Sequence, residues 1–361
     1  MYKKNSSFLL SGLLLLILTG CSSVGPSMLQ GNRISYNQAV QKANNEELLL
    51  NLVRLKYRDI PFFLEVGSIS NQMQFTNGLG GAGSFQAYTD PSYDLASSFG
   101  YTEKPTVSYS PLQGDEFIRQ MLTPISLDTL HLVAHSGWSM ERLMRICVQR
   151  MNGLRNASSA SGPTPSYTPK FEKFSLGTKI MRQLQKSDEL DLSYVKFKGQ
   201  PALAMILHDE GENSEQVRRL KETFNLNPEK NQFIFTMGSQ ASSPDFIQIQ
   251  TRSLMGVLHL LSNAVEVPKP DQEAGKVTMT KGANNEKFDW NKVTGDFLHI
   301  KSQKSKPDDR SVIYVKYRNM WFYIDDSDLN SKSTLSMLSQ LYYLQAGKSS
   351  RPAPIMTLSL D

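Results

Sequence analysis

The run from Phe8 to Cys21, FLLSGLLLLILTGC, constrains this chain more than any other stretch, because it separates a leader from the part that folds. Lys3 and Lys4 precede an apolar centre from Phe8 to Leu18, and the run stops at a cysteine. A short positive lead followed by a short apolar segment is the layout of a secretory signal peptide, here residues 1–20, and it is too short to persist as a membrane-spanning helix. Roughly 340 residues remain after cleavage, enough for a sizeable core and two or three lobes.

The segment ends Leu18-Thr19-Gly20-Cys21, which resembles a bacterial lipobox. The resemblance implies that Cys21 is acylated on sulfur, by palmitate-type chains, and becomes the new N-terminus. More than one chain is what stable anchoring takes, since each buried methylene adds about 0.8 kcal/mol. Ser22 stands where an aspartate would resemble an inner-membrane retention signal. By the same resemblance the mature protein sits on the outer membrane and faces the periplasm. Residues 21–34 are then a lipidated tether, small and polar with Pro26 inside it. The expected partners are the membrane, through the anchor, and other envelope proteins.

Composition excludes several classes. Without Lys3 and Lys4 the chain has 37 basic against 34 acidic residues, too balanced for nucleic acid. With Cys21 acylated, Cys147 is the other cysteine of the two, so no intramolecular disulfide can form even in an oxidising compartment. Cys147 shares a helical face with Leu143, Ile146 and Met151, the setting of an inert buried thiol.

The fold class reads as α+β, with an N-terminal α+β domain over 35–155, a linker over 156–170 and a C-terminal domain over 171–361. Ser35 begins a helical pattern with Val40, Ala43, Leu48, Leu52 and Leu55 on one face, ended by Ile60-Pro61. Lys42, Arg54, Lys56 and Arg58 fall elsewhere and read as a solvated face. Residues 62–110 read as a meander of about four antiparallel strands, with turns at 77–83, 90–92 and 102–104. The run GLGGAG inside that stretch reads as a hairpin tip, because strand-like residues follow it where a dinucleotide loop would open a helix. Three helices follow, GDEFIRQMLTPI, SLDTLHLVAHSG and WSMERLMRICVQRMNGL, divided by Pro124 and Gly137.

The run NASSASGPTPSYTP (156–169) has the composition of a linker. Three repeated units of β-hairpin followed by helix (ββα) come after it: LSYVKF and PALAMIL before SEQVRRLKETF, QFIFTM and DFIQIQ before RSLMGVLHLLSNAV, and SVIYVKY and MWFYID before STLSMLSQLYYLQAG. Each helix has one apolar stripe and must cover a sheet, which predicts two-layer packing. DFLHIKSQ (296–303) and the terminal APIMTLSL read as further strands.

Candidate chemistry is sparse. His131 and His135 stand four apart on a helix, the spacing of a zincin, but Leu132 occupies the place of the glutamate base. His208 and Asp209 open the densest acidic cluster, His208 to Glu212, between a strand and a helix. Asp325, Asp326 and Asp328 lack the glycine and distal glutamate of an EF-hand loop and read as caps for the next helix. Trp321, Tyr323, Tyr342 and Tyr343 read as core aromatics. No P-loop, Gly-x-Ser-x-Gly elbow or Cys-x-x-Cys occurs, and nothing calls for a cofactor. The reading is a lipid-anchored, periplasm-facing lipoprotein acting as a binding or scaffolding module with no catalytic assignment. The alternatives are a membrane-anchored hydrolase centred on His131/His135 or His208, and an oligomeric pore-forming lipoprotein.

Overall fold

The long helix α1 (Val24–Lys56) starts about ten residues before the apolar pattern does, so much of the expected tether is helical. Pro26 is tolerated there because the first turn of a helix needs no N–H partner. Toward its other end Leu48, Leu49, Leu52, Val53 and Leu55 are all buried, which takes more than one packing neighbour. The helix stops where Arg58 enters the left-handed region (φ 61°) and the Asp59 N–H reaches back to the Arg54 carbonyl at 2.9 Å. The computed structural model describes residues 24–84, 92–208, 214–238, 243–308 and 311–346. The terminal strand expected over APIMTLSL lies outside them. The described residues fall into two units, one of those up to Pro61 and from Asp115 onward, the other of those within Phe62–Gly114.

The first unit is α+β. After α2 (Asp115–Leu122), helix α3 (Leu127–His135) is capped by the Ser126 side chain, and α4 (Met140–Cys147) by Ser139. α4 ends seven residues before the expected stop. Asn152 and Gly153 both take positive φ, closing a two-residue turn between β3 (Val148–Met151) and β4 (Leu154–Arg155). An Asn-Gly pair between strands is the strongest short-range hairpin signal, and it outcompetes the helical period here.

β5 (Leu190–Phe197) and β6 (Gln200–Leu207) form the first expected hairpin, turning at Lys198 and Gly199. Helix α5 (Glu172–Lys186) precedes them and α6 (Ser214–Thr223) follows. The second expected hairpin is not one: β7 (Gln232–Met237) and β8 (Phe246–Thr251) are neighbours but parallel, Ile234 opposite Phe246 and Met237 opposite Ile249. The chain returns to the start of β7 before β8 begins, and Asn227 and Lys230 hold Asp245 there at 2.7 and 2.8 Å. The strand order β4-β3-β8-β7-β6-β5 gives one six-stranded sheet.

That sheet removes the domain boundary expected at 156–170. β3 lies before the supposed linker and pairs with β8 beyond it. The linker itself is packed: Asn156, Ala157, Ala160 and Thr164 are buried. The Asn156 amide donates to the carbonyls of Arg145 (2.8 Å) and Val148 (2.6 Å) at the open end of α4. Ser and Pro richness marked irregular backbone, and irregular backbone here is core.

After α7 (Leu254–Ser262) come two short helices, α8 (Lys269–Glu273) and α9 (Asn291–Thr294). Of the strand expected over 296–303, only β9 (Lys301–Gln303) forms, since Phe297 and Leu298 bond back to Thr294. β10 (Ser311–Tyr317) and β11 (Met320–Asp325) make the third hairpin, turning at Arg318 and Asn319, and β9 joins β11 from the far side. α10 (Leu329–Ala346) follows. The hairpin units therefore divide between two sheets.

One close approach inside this unit is testable. Gly177 of α5 faces the ring of Phe224, and a Cβ at position 177 would overlap it. Gly177→Ala should destabilise by about 1–3 kcal/mol through overpacking, outweighing the ~1 kcal/mol that alanine gains in helix propensity. A denaturant midpoint equal to or above that of the parent would refute this.

The second unit is a ribbon. β1 (Leu64–Ser84) and β2 (Ser92–Pro111) pair antiparallel along their whole length, from Leu64 opposite Pro111 to Ser84 opposite Ser92. One register shift, between Val66 and Ser68, interrupts the ladder near its base. The four-strand meander is thus two strands: the expected turns at 77–83 and 102–104 lie inside them, and the one at 90–92 lies partly outside the described residues.

Candidate functional site

The cavity with the most unusual chemistry lies beside the end of α1. It encloses about 540 Å³ and is lined by Lys56, by Asn263 to Val267 after α7, and by residues 278–280, 287–291 and 299–301. Lys56 was expected on a solvated face, yet it is 6% exposed. Its Nζ donates to Asn263 Oδ1 at 3.1 Å, an oxygen that also accepts from Thr164 Oγ1 at 2.9 Å. No carboxylate pairs with this ammonium among the described residues. Burial, with the positive charge of Lys287 nearby, pulls its pKa down to about 8.

The rest of the rim is mixed. Lys287, Lys301 and His299 bring basic groups; Glu266 and Asp289 bring acidic ones. Lys287 donates to Gln272 Oε1 at 3.0 Å, and Lys301 reaches Asp325 at 3.3 Å. Trp290 forms an apolar wall, its Nε1 donating to Thr280 Oγ1 at 3.0 Å and its ring edge-to-face with Phe288. Chemically this is a cavity of mixed polar and apolar lining with one desolvated cation and an aromatic wall, suited to a small anion with a flat or apolar part. The signal for Lys56 was present in the sequence. It stands four residues after Leu52 and three after Val53, on the buried stripe of α1.

Beneath the cavity α1 is locked in place. Tyr57 donates to Asp271 Oδ2 at 2.7 Å, and its ring meets Tyr317 and Phe322 edge-on. Burial and the Asp271 carboxylate push the Tyr57 phenol far above its usual range. Asp59 accepts from the Tyr317 hydroxyl and from Arg318 at 2.8 Å.

The residues singled out from the sequence are not in this cavity. His131 and His135 do meet, with ring centroids 4.1 Å apart, and His131 packs edge-on against Tyr194 at 4.7 Å. The Tyr194 hydroxyl is taken by Asp128. No group of three His, Cys, Asp or Glu side chains able to hold a metal occurs among the described residues. His208 is exposed at the end of β6, its N–H bonded to the Glu189 carbonyl, while Asp209 and Cys21 lie outside the described residues. Cys147 is fully buried, and burial raises its thiol to about 12, leaving it protonated. Asp328 caps α10, accepting from the Ser331 N–H at 3.0 Å and its hydroxyl at 2.6 Å, while Asp325 closes a turn onto Ser327. Trp321 stacks edge-on against Tyr314, and Tyr343 is exposed.

The ribbon supplies the second unusual surface. Among the described residues its ladder ends at β1 on one side and β2 on the other, with no third strand. Long unpaired strand edges are templates for further pairing, and a lone two-stranded hairpin is marginal in water. No helix of the described chain is long and apolar enough to cross a membrane. Comparison with known protein families, with curated proteins and with solved structures finds no match to this chain.

Proposed function

We propose that this chain is a lipid-anchored lipoprotein of the bacterial envelope, tethered through Cys21 to the periplasmic face of the outer membrane and acting as a binding or scaffolding module rather than an enzyme. The observation that carries the reading is the ribbon: a separate unit about twenty residues long per strand, with neither edge paired by another strand among the described residues. Such a surface is completed by something outside the chain, which is what an assembly module requires. The cavity at Lys56 adds a place for a small ligand within the first unit.

Replacing Cys21 by serine tests the anchor. The parent chain should begin at Cys21, carry the added mass of acyl chains and partition into detergent. Cys21→Ser should lose the lipid mass and become extractable without detergent. An exported parent chain that starts elsewhere, or that carries no lipid mass, sinks the reading.

A further inference from the structure

We propose that the ribbons of several copies of this chain pair edge to edge into a closed β-barrel whose outer face meets lipid. The proposal rests on the assembly reading above and names its partner: further copies of the same chain.

Three features of the ribbon carry it. The first is charge. Between Glu65 and Glu103 in the sequence the only charged residues are Asp90 and Asp94, and Asp94 stands opposite Ala82, two rungs from the Ser84 end of the ladder. Glu103 and Lys104 stand opposite Met73 and Gln72, about halfway along the ladder, and Glu65 lies near its base. The rungs from Gln74 to Gly81 are thus free of charge and bounded by charges on both sides, unusual in a chain that is 20% charged overall.

The second is parity. Successive residues of a strand alternate between faces, and directly opposed residues share one. The register places Phe75 opposite Tyr101, Asn77 opposite Phe99, Leu79 opposite Ser97, Gly81 opposite Leu95 and Gly83 opposite Tyr93. Each of these rungs carries a Phe, Leu or Tyr. The intervening rungs are Gln74 opposite Thr102, Thr76 opposite Gly100, Gly78 opposite Ser98, Gly80 opposite Ala96 and Ala82 opposite Asp94. Those are all small or polar. One face is thus an apolar band bounded by aromatic rungs at both ends, and the other is lean and polar. This is the division between the lipid side and the lumen of a membrane barrel. The pattern emerges only when the two strands are read rung by rung.

The third is length. From the Phe75 rung to the Gly83 rung is about 27 Å along the strand at ~3.4 Å per residue. Tilted by roughly 40°, that covers about 20 Å, close to the ~25 Å apolar band of known barrels. The remaining rungs, down to Leu64, extend beyond the band as a wet collar.

Copies of the chain fit the edges better than a different partner does. β1 and β2 are of matched length, so the β1 edge of one copy can meet the β2 edge of the next in a head-to-tail contact that closes into a ring. With two strands per copy, the smallest closed barrels of about eight strands need about four copies. Closure removes both edges and buries the apolar face in one step.

The test uses the mature acylated protein with variants of opposite parity. Purified in mild detergent, the parent should run as a multimer and open discrete conductance steps in bilayers of phosphatidylethanolamine and phosphatidylglycerol. Phe99→Asp, on the apolar face, should lower channel formation at least tenfold and leave the melting temperature of the first unit unchanged. Ser98→Asp, one residue away on the lean face, should still insert and should shift selectivity toward cations. A monomer in detergent, a multimer that does not conduct, or equal loss in both variants overturns the barrel. Failure here is separable from failure of the assembly reading. Cross-linking of the ribbon to a different envelope protein would keep that reading and exclude the barrel, and a parent without lipid mass that still conducts would do the reverse.

Discussion

Replacing Arg252 by methionine should cost the first unit about 2–5 kcal/mol, the range for taking the donor from two buried carbonyls. Arg252 is 1% exposed and has no carboxylate partner among its hydrogen bonds. Its guanidinium instead donates to the carbonyls of Arg145 (3.2 Å), Ile146 (3.1 Å), Val148 (2.5 Å) and Asn156, while its Nε donates to the Ser161 hydroxyl at 3.0 Å. Its own N–H bonds the Cys147 carbonyl at 2.7 Å. The charge is thus met by the negative end of α4, whose last carbonyls it shares with the Asn156 amide. Burial still pulls the guanidinium down to about 9, so those carbonyls offset only part of the desolvation. Methionine fills most of the volume but takes this donor from the Ile146 and Asn156 carbonyls, at about 1–3 kcal/mol each before relaxation. Arg252→Lys keeps the charge and loses the planar fork, and should fall between the two. The check is the urea midpoint at constant slope; a methionine variant within about 1 kcal/mol of the parent would show that the fork is dispensable.

Lys56→Met should have the opposite sign. The lysine is buried, with a pKa of about 8 against an ordinary value of 10.5. At 1.36 kcal/mol per unit, holding the ammonium charged at neutral pH costs up to about 3 kcal/mol, less the return from Asn263. Methionine should therefore stabilise the protein by about 1–3 kcal/mol at pH 7. The pH signature distinguishes this from simple repacking. Between pH 8 and 10.5 the unfolded chain holds a proton on Lys56 that the folded chain has released, so parental stability should rise with pH across that window. In Lys56→Met that contribution should vanish, while the lowered Arg252 guanidinium raises stability above about pH 9 in parent and variant alike. Tyr57 and Tyr317, whose raised values keep them protonated when folded, pull the other way above about pH 10, in both proteins alike. The difference between parent and variant from pH 7 to 10 is thus the quantity to measure. A flat difference would remove Lys56 as the buried cation of the cavity.

The α+β class, the helices from α2 through α4, and the β5–β6 and β10–β11 hairpins were legible because local chemistry sets them. Ser126 and Ser139 cap where a cap residue precedes an apolar period, and the turns take the positive φ that tight hairpins need. Asp328 likewise caps where the sequence put a cap. What tertiary structure decided is everything that depends on which distant strand becomes a neighbour. β8 could have turned back antiparallel on β7, but β3, about a hundred residues earlier, claims its other edge, and the pair runs parallel. The Gly-rich stretch in β1 reads as a loop by composition and is held as strand by the opposing residues of β2. Lys56 and Arg252 look like surface cations because charge predicts exposure; packing sets Lys56 against a neutral amide and Arg252 against a helix end, with no carboxylate bonded to either among the described residues. Composition and period act within a turn or two of chain, while pairing, burial and desolvation are properties of what the chain meets after it has travelled.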